Sequence, residues 1–262
     1  MGDILDLKGR NALVTGAGQG VGRQVALQFA AHNAGVVVVN DFYAERAQAV
    51  AAEVQALGAR AIAAPCDVTD YDAVQRMFTD ISAQIGAIDL LVNNAGNAGP
   101  TQSPAESKPF WETGPQEWSN WMGTNFYGVL NCCRAATPGM MARKYGRIIT
   151  VISDAGRVGE PHLAVYSGAK AGAAGFMRAL AKAVGRGQIT ANCVALAGVN
   201  TPGVADLMPD AEHIKQMLKA YVIRRFGEPD DAANMILFLA SDAASWITAQ
   251  TYPVNGGYSV SS

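Results

Sequence analysis

Three side chains stand where proton chemistry on an alcohol or a carbonyl could be done. Tyr166 and Lys170 are four residues apart in an Ala-rich stretch, so on a helix they share one face. A phenol is a poor base at neutral pH, with a pKa near 10, and an adjacent ammonium favours the phenolate. Tyr166 could then take the proton of a substrate alcohol while hydride leaves for an acceptor, or protonate the alkoxide in reverse. Ser153, thirteen positions before Tyr166, closes the apolar run RIITVIS and could hydrogen-bond the same substrate oxygen. A lone tyrosine on such a helix would be packing; with Lys170 and Ser153 in place, chemistry is the stronger reading. A Ser–Lys hydrolase is disfavoured, because no G-x-S-x-G elbow surrounds the serine.

A second constellation lies near the N-terminus. The strand-like run NALVT leads into Thr15-Gly16-Ala17-Gly18-Gln19-Gly20-Val21-Gly22. Glycines at 16, 20 and 22 permit a sharp turn and close backbone approach to a pyrophosphate, and the following helix would present N–H groups and a positive dipole end. Strand two ends in Asn40-Asp41, 19 residues beyond Gly22. A carboxylate there can accept hydrogen bonds from both adenosine ribose hydroxyls and would repel a 2′-phosphate. Gln19 occupies a place where a basic residue could have met that phosphate. NAD(H) is therefore expected over NADP(H), with Arg46 the one nearby cation that weakens the inference. Asp67 and Val68, after strand three, are candidates for the adenine. That Asp41 merely caps the next helix stays open.

The elements that must position these groups alternate. Strands are expected at Asn11–Thr15, Val36–Asn40, Ala61–Ala64, Leu90–Asn93, Arg147–Ile152, Ile189–Ala195 and Gln250–Val254. Helices are expected at Val21–His32, Ala44–Leu57, Asp70–Ile85, Gln116–Arg143 with a bend at Pro138, Tyr166–Gly185 and Asp230–Leu239. Residues 97–114 read as a loop and 202–226 as a mobile lid carrying a helix. Continuous apolar strands imply burial on both faces. The fold expected is α/β, a single doubly wound Rossmann-type domain spanning 1–262, with a mostly parallel seven-stranded sheet and helices on both faces. Its cofactor half would run to about 155 and its catalytic and substrate half over about 156–262.

Bulk properties agree. The chain has 262 residues, half of them apolar, 16% charged, with a net charge of −2. That composition supports a large core and gives no global attraction to nucleic acid or to an anionic membrane. Four cysteines without a C-x-x-C pair suggest reduced thiols, and the acidic N-terminus does not read as a secretion signal, so a cytoplasmic protein is expected. His32, His162 and His213 form no ligand cluster, and no metal is expected. His162 could line the pocket.

TGAGQGVG at 15–22, NNAG at 93–96, Asn125, Ser153 and Tyr166-x-x-x-Lys170 together resemble the short-chain dehydrogenase/reductase family over essentially the whole length. The resemblance implies an NAD(H)-dependent oxidoreductase interconverting a secondary alcohol and a ketone. It implies that Asn125, Ser153, Tyr166 and Lys170 are catalytic, Lys170 also holding the nicotinamide ribose and Asn125 bending its helix around a proton-relay water. Gly16, Gln19, Gly20, Val21, Gly22, Asp41, Asp67, Val68, Asn94, Gly96, Tyr166, Lys170, Val199 and Thr201 would bind NAD. Leu196-Ala197 replaces the family's usual Pro-Gly, with Gly198 expected to supply the flexibility. The loop with Phe110 and Trp111 could meet a bulky apolar substrate or a subunit, or serve as a structural hydrophobic anchor. The stretch SDAGRVG resembles members acting on hydroxyacyl-CoA thioesters and alicyclic alcohols. The family's habit and the Ala/Gly-rich helices suggest a homotetramer. The alternatives are an NADPH-dependent ketone or 3-oxoacyl reductase and, from another class, a catalytically silent nucleotide-binding sensor or scaffold.

Overall fold

The computed structural model describes residues 2–96, 108–202 and 211–260. Seven strands, β1 (Asn11–Val14), β2 (Val36–Val39), β3 (Arg60–Ala63), β4 (Leu90–Asn93), β5 (Gly146–Ser153), β6 (Ile189–Leu196) and β7 (Thr251–Val254), form one sheet in the order β3-β2-β1-β4-β5-β6-β7. Every pairing is parallel; Ala12, for example, stands beside Val37 on one side and Leu90 on the other. The chain builds outward from β1 to β3, returns, and lays β4 against the opposite side of β1. The sheet therefore changes direction between β1 and β4, and a crevice opens at the carboxyl ends of those strands.

The apolar strands are apolar because both faces are covered. Ala12, Val14, Val37, Val39, Leu90 and Val92 face one core, with Phe29, Ile236 and Leu237 of helices α1 (Gly20–Ala31) and α9 (Pro229–Ala240). Leu13, Val36, Val38 and Leu91 face the other, with Phe78, Met140 and Met177 of α3 (Tyr71–Ile85), α5 (Gly128–Arg143) and α7 (Ala164–Val184). Each such side chain contributes about 1.5–3 kcal/mol on burial. Helix α2 (Ala44–Ala56) completes the first layer. In α3 the buried residues Val74, Met77, Phe78 and Ile81 follow helical spacing; the Asp70 carboxylate accepts from the Ala73 N–H at 2.9 Å, and Gly86 at φ +79° ends the helix.

The single helix expected over Gln116–Arg143 is instead three pieces. Helix α4 (Pro115–Met122) passes through a π-helical turn at Gly123–Tyr127 into α5. The break falls at Asn125, not at Pro138, which lies inside α5 without ending it. Asn125 is fully buried, and its side-chain amide donates to the Trp121 carbonyl at 2.9 Å. A side chain has entered the backbone ladder, which is a recognised cause of such bulges. Short helix α6 (Ala155–Val158) follows β5, and α8 (Ala211–Leu218) precedes α9. Much of the loop expected at 97–114 and of the lid expected at 202–226 lies outside the described residues, as does the side chain of His213. No described helix is long and apolar enough to cross a membrane.

Candidate active site

The crevice is a cleft of about 540 Å³. Gly16, Gln19, Gly20, Val21, Asp41, Asp67, Val68, Asn94, Gly96, Ser153, Tyr166, Lys170, Val199 and Thr201, named from sequence, all line it. Gly22 and Asn125 do not. Gly22 sits behind the turn, where a Cβ would come within 2.3 Å of the Gly16 carbonyl oxygen and 2.5 Å of Asn94 Nδ2. Its glycine is required by helix–turn packing. Exposed His162 lies outside the lining.

The turn after β1 is held from the neighbouring strand. Asn94 Nδ2 donates to the carbonyls of Thr15 and Gly16, both at 3.0 Å. Thr15 Oγ1 accepts from the N–H groups of Asn94 and Ala95 at 3.0 and 3.1 Å. Gly16 has φ +60°, and a Cβ there would stand 2.8 Å from Ala95 Cα. Helix α1 then opens with no side-chain cap and no acidic residue in its first turn. Its orphan N–H groups and positive dipole end are left for an anion. These features fit the pyrophosphate of a dinucleotide.

Asp41 lies at the far end of the cleft and is 7% exposed. Its carboxylate accepts from the Gly18 N–H at 2.9 Å and the Tyr43 N–H at 3.0 Å, so it braces the glycine turn. It is not the cap of α2, whose N-cap position is Tyr43. Asn40, which sequence reading passed over, donates to the carbonyls of Ala64 and Cys66 at 2.9 and 3.1 Å and ties β2 to the segment after β3. Arg46 also lines the cleft, its guanidinium 4.5 Å from the centre of the Tyr43 ring.

At the opposite end Ser153, Tyr166 and Lys170 converge. Lys170 Nζ donates to the Val151 carbonyl at 2.9 Å and lies 5.7 Å from the centre of the Tyr166 ring. The Tyr166 phenol hydrogen-bonds to Ser153, and Ser153 Oγ accepts from the Ala155 N–H at 3.2 Å. Trp121 meets the Tyr166 ring edge-on at 5.2 Å between centroids. A Cβ on Gly96 would come within 2.9 Å of both Asn125 Oδ1 and Lys170 Nζ, so a side chain there would push one of these groups aside.

Gly198, expected to supply the flexibility of the missing Pro-Gly, is held by a close approach. Its N–H donates to the Tyr221 hydroxyl at 2.9 Å, and a Cβ would sit 2.8 Å from the Phe226 ring. Backbone bonds between Gly198, Asn200 and Gly227 fix the segment. The Thr201 methyl then lies 3.1 Å from where a Cβ of Gly20 would be.

The expected lowering of the phenol pKa by Lys170 is not what the protein alone provides. Burial pushes the Tyr166 phenol up, and the Ser153 hydrogen bond pulls it only partly back. Burial also pushes the Lys170 ammonium down to about 8. An unfolded chain keeps that proton up to about 10.5. Between those pH values the unfolded state binds more protons, so stability rises with pH there; the penalty is complete below about 8. Lys170→Met removes it. The difference in unfolding free energy should therefore shift toward the wild type by up to about 3 kcal/mol between pH 7 and 10.5, measured by urea denaturation at fixed pH. A pH-independent difference would mean that the amine is hydrated.

The family described as Enoyl-(Acyl carrier protein) reductase matches residues 16–259. A 3-oxoacyl-(acyl-carrier-protein) reductase of Staphylococcus aureus is 39% identical over 248 residues, covering 95% of this chain and 97% of its own. A (2S)-((R)-hydroxy(phenyl)methyl)succinyl-CoA dehydrogenase subunit of Thauera aromatica is 37% identical over 98% of this chain and 99% of its own. The crystal structure of a 7α-hydroxysteroid dehydrogenase complexed with NADH and 7-oxoglycochenodeoxycholic acid superposes with a TM-score of 0.90 at 33% identity, covering 98% of both chains. With a seven-stranded parallel sheet, this cleft and these relatives, the chain is an oxidoreductase that belongs to the short-chain dehydrogenase/reductase family.

Proposed function

We propose that this enzyme interconverts a secondary alcohol and a ketone with NAD(H), using Tyr166 as the general acid and base. The convergence of Ser153, Tyr166 and Lys170 at one end of a dinucleotide-sized cleft carries the reading. The bound nicotinamide supplies a hydride acceptor or donor. Ser153 donates to the substrate oxygen and fixes its position. Tyr166 removes the hydroxyl proton in oxidation and returns one to the alkoxide in reduction. Lys170 holds a positive charge below about pH 8 beside the phenol, and with Asn125 it lies on the route by which a proton can leave the buried site. The thioester substrates named for two relatives make 3-hydroxyacyl thioesters the first compounds to screen by NAD⁺ reduction.

Tyr166→Phe keeps the ring and removes the transferable proton. Turnover should fall by about 10²–10⁴-fold while NADH affinity stays near wild type. Near-normal turnover would overturn the assignment.

Asp41 supports NAD(H). Loss of charge-assisted bonds to ribose hydroxyls costs roughly 1.5–3 kcal/mol, so Asp41→Ala should weaken NADH by about tenfold or more and erode the preference over NADPH. The second reading, an NADPH-dependent 3-oxoacyl reductase, is favoured by Arg46 in the same cleft and by the 3-oxoacyl reductase relative. Tighter wild-type binding of NADPH than of NADH, in a fluorescence titration, would select it.

The homotetramer belongs to the same proposal. Trp246 and Val260, near the C-terminus, are 99% and 88% exposed, which suits burial against further subunits. Light scattering at micromolar concentration should give four times 27.4 kDa, and a stable monomer would refute it.

A further inference from the structure

Immediately after Ser153 the chain buries a carboxylate. Asp154 is 1% exposed, although it sits in the turn that directly follows β5. Its backbone N–H donates to the Leu196 carbonyl at 2.9 Å, and its own carbonyl accepts from the N–H groups of Arg157 and Val158 at 2.8 and 2.9 Å. Its side chain is bonded on both oxygens. Oδ1 accepts from Arg157 at 2.5 Å. Oδ2 accepts from Asn255 Nδ2 at 2.6 Å and from the Ser259 hydroxyl at 2.9 Å. Arg157 reaches the same Ser259 hydroxyl at 3.1 Å. Residues 255–259 thus run as a strap after β7, more than 100 positions downstream of the turn they hold.

A buried carboxylate needs such partners, since an unpaired one costs several kcal/mol. What matters here is what this one is joined to. The peptide that carries Asp154 also carries the Ala155 N–H bonded to Ser153 Oγ. Movement of Asp154 therefore moves the group that aims the serine. The same strap meets the other wall of the site. The Tyr258 ring packs 5.1 Å from Tyr221, whose hydroxyl accepts from the Gly198 N–H.

We infer that Asp154 is a positioning residue through which the C-terminal strap, by Asn255 and Ser259, sets the place of the Ser153 hydroxyl for the reaction. The inference rests on the role of Ser153 proposed above. The side chains of Asn255 and Ser259 bond to Asp154 and Arg157 rather than to the glycine turn, so losing those bonds should reduce turnover far more than dinucleotide affinity.

The test uses the full chain, with whichever alcohol the screen identifies. Ser259→Ala should lower kcat by roughly tenfold, the size expected when a hydrogen bond to a buried charge is lost. NADH affinity by fluorescence titration should stay within about twofold of wild type. Ser259→Thr, which keeps the hydroxyl, should restore most of kcat. Asn255→Ala should behave like Ser259→Ala, and Asp154→Asn should cost at least as much. Should Asp154→Asn fail to fold, the Ser259 pair decides alone. A role exerted through Ser153 makes a further demand: in a Ser153→Ala background, Ser259→Ala should add little. Wild-type kcat in Ser259→Ala, failure of threonine to rescue, or an undiminished effect in the Ser153→Ala background would each overturn the inference. If Ser153→Ala alone turned over normally, the reading of Ser153 would fall first, and that outcome is distinct.

Discussion

Everything in the cleft depends on one strand joint. Where the sheet changes direction, β1 and β4 end side by side, and the Asn94 amide holds the carbonyls of Thr15 and Gly16 while Thr15 returns the favour to the Asn94 and Ala95 N–H groups. Four hydrogen bonds lock a backbone that glycine would otherwise leave free. That lock fixes the start of α1, and so the direction of its dipole, and it fixes the path of Gly96 between Asn125 and Lys170. One joint thus serves the pyrophosphate end and the proton-transfer end together.

The sequence carried the fold well, because its cues are local. Four β-branched valines in a row read as a strand covered on both faces, and Asp70 with Gly86 frames α3 in the letters themselves. The site residues were legible for the same reason: the spacing of Ser153, Tyr166 and Lys170 is a distance along a strand, a turn and a helix. What escaped were roles that depend on a partner distant in the chain. Asn94 reads as a ligand contact and is also a clamp. Gly22 reads as part of the nucleotide turn and is a packing requirement. Asp154 reads as an acidic residue after a serine, and only the fold brings Asn255 and Ser259 to it. The resemblance pointed to a bend at Asn125, but the division of the helix into three pieces escaped, because an α-helix and a π-turn share the same apolar pattern.

The electrostatics of the site are set by dryness. Burial raises the Tyr166 phenol and lowers the Lys170 ammonium, so each is pushed toward its neutral form. The phenolate that proton transfer needs is disfavoured until a cationic ring enters, and Lys170 keeps its proton only below about pH 8. The cost of holding Lys170 in such a place is offset by the core around it, in which the buried alanines of α7 pack with residues of β5 and β6.

The π-turn at Gly123–Tyr127 has a bearing on how this chain can change. One additional residue in a helical turn rotates all that follows by about 100°. Upstream of it, α4 points Trp121 at the reacting ring; downstream, α5 points Cys132, Cys133 and Met140 into the core. Both aims hold only in that phase. A lineage that lost a single codon here would gain an unbroken, better-bonded helix and would turn either the tryptophan or the core stripe away from its target. Deletion of one residue here should therefore be more damaging than exchange of a side chain, because the smoother helix is out of phase with the site.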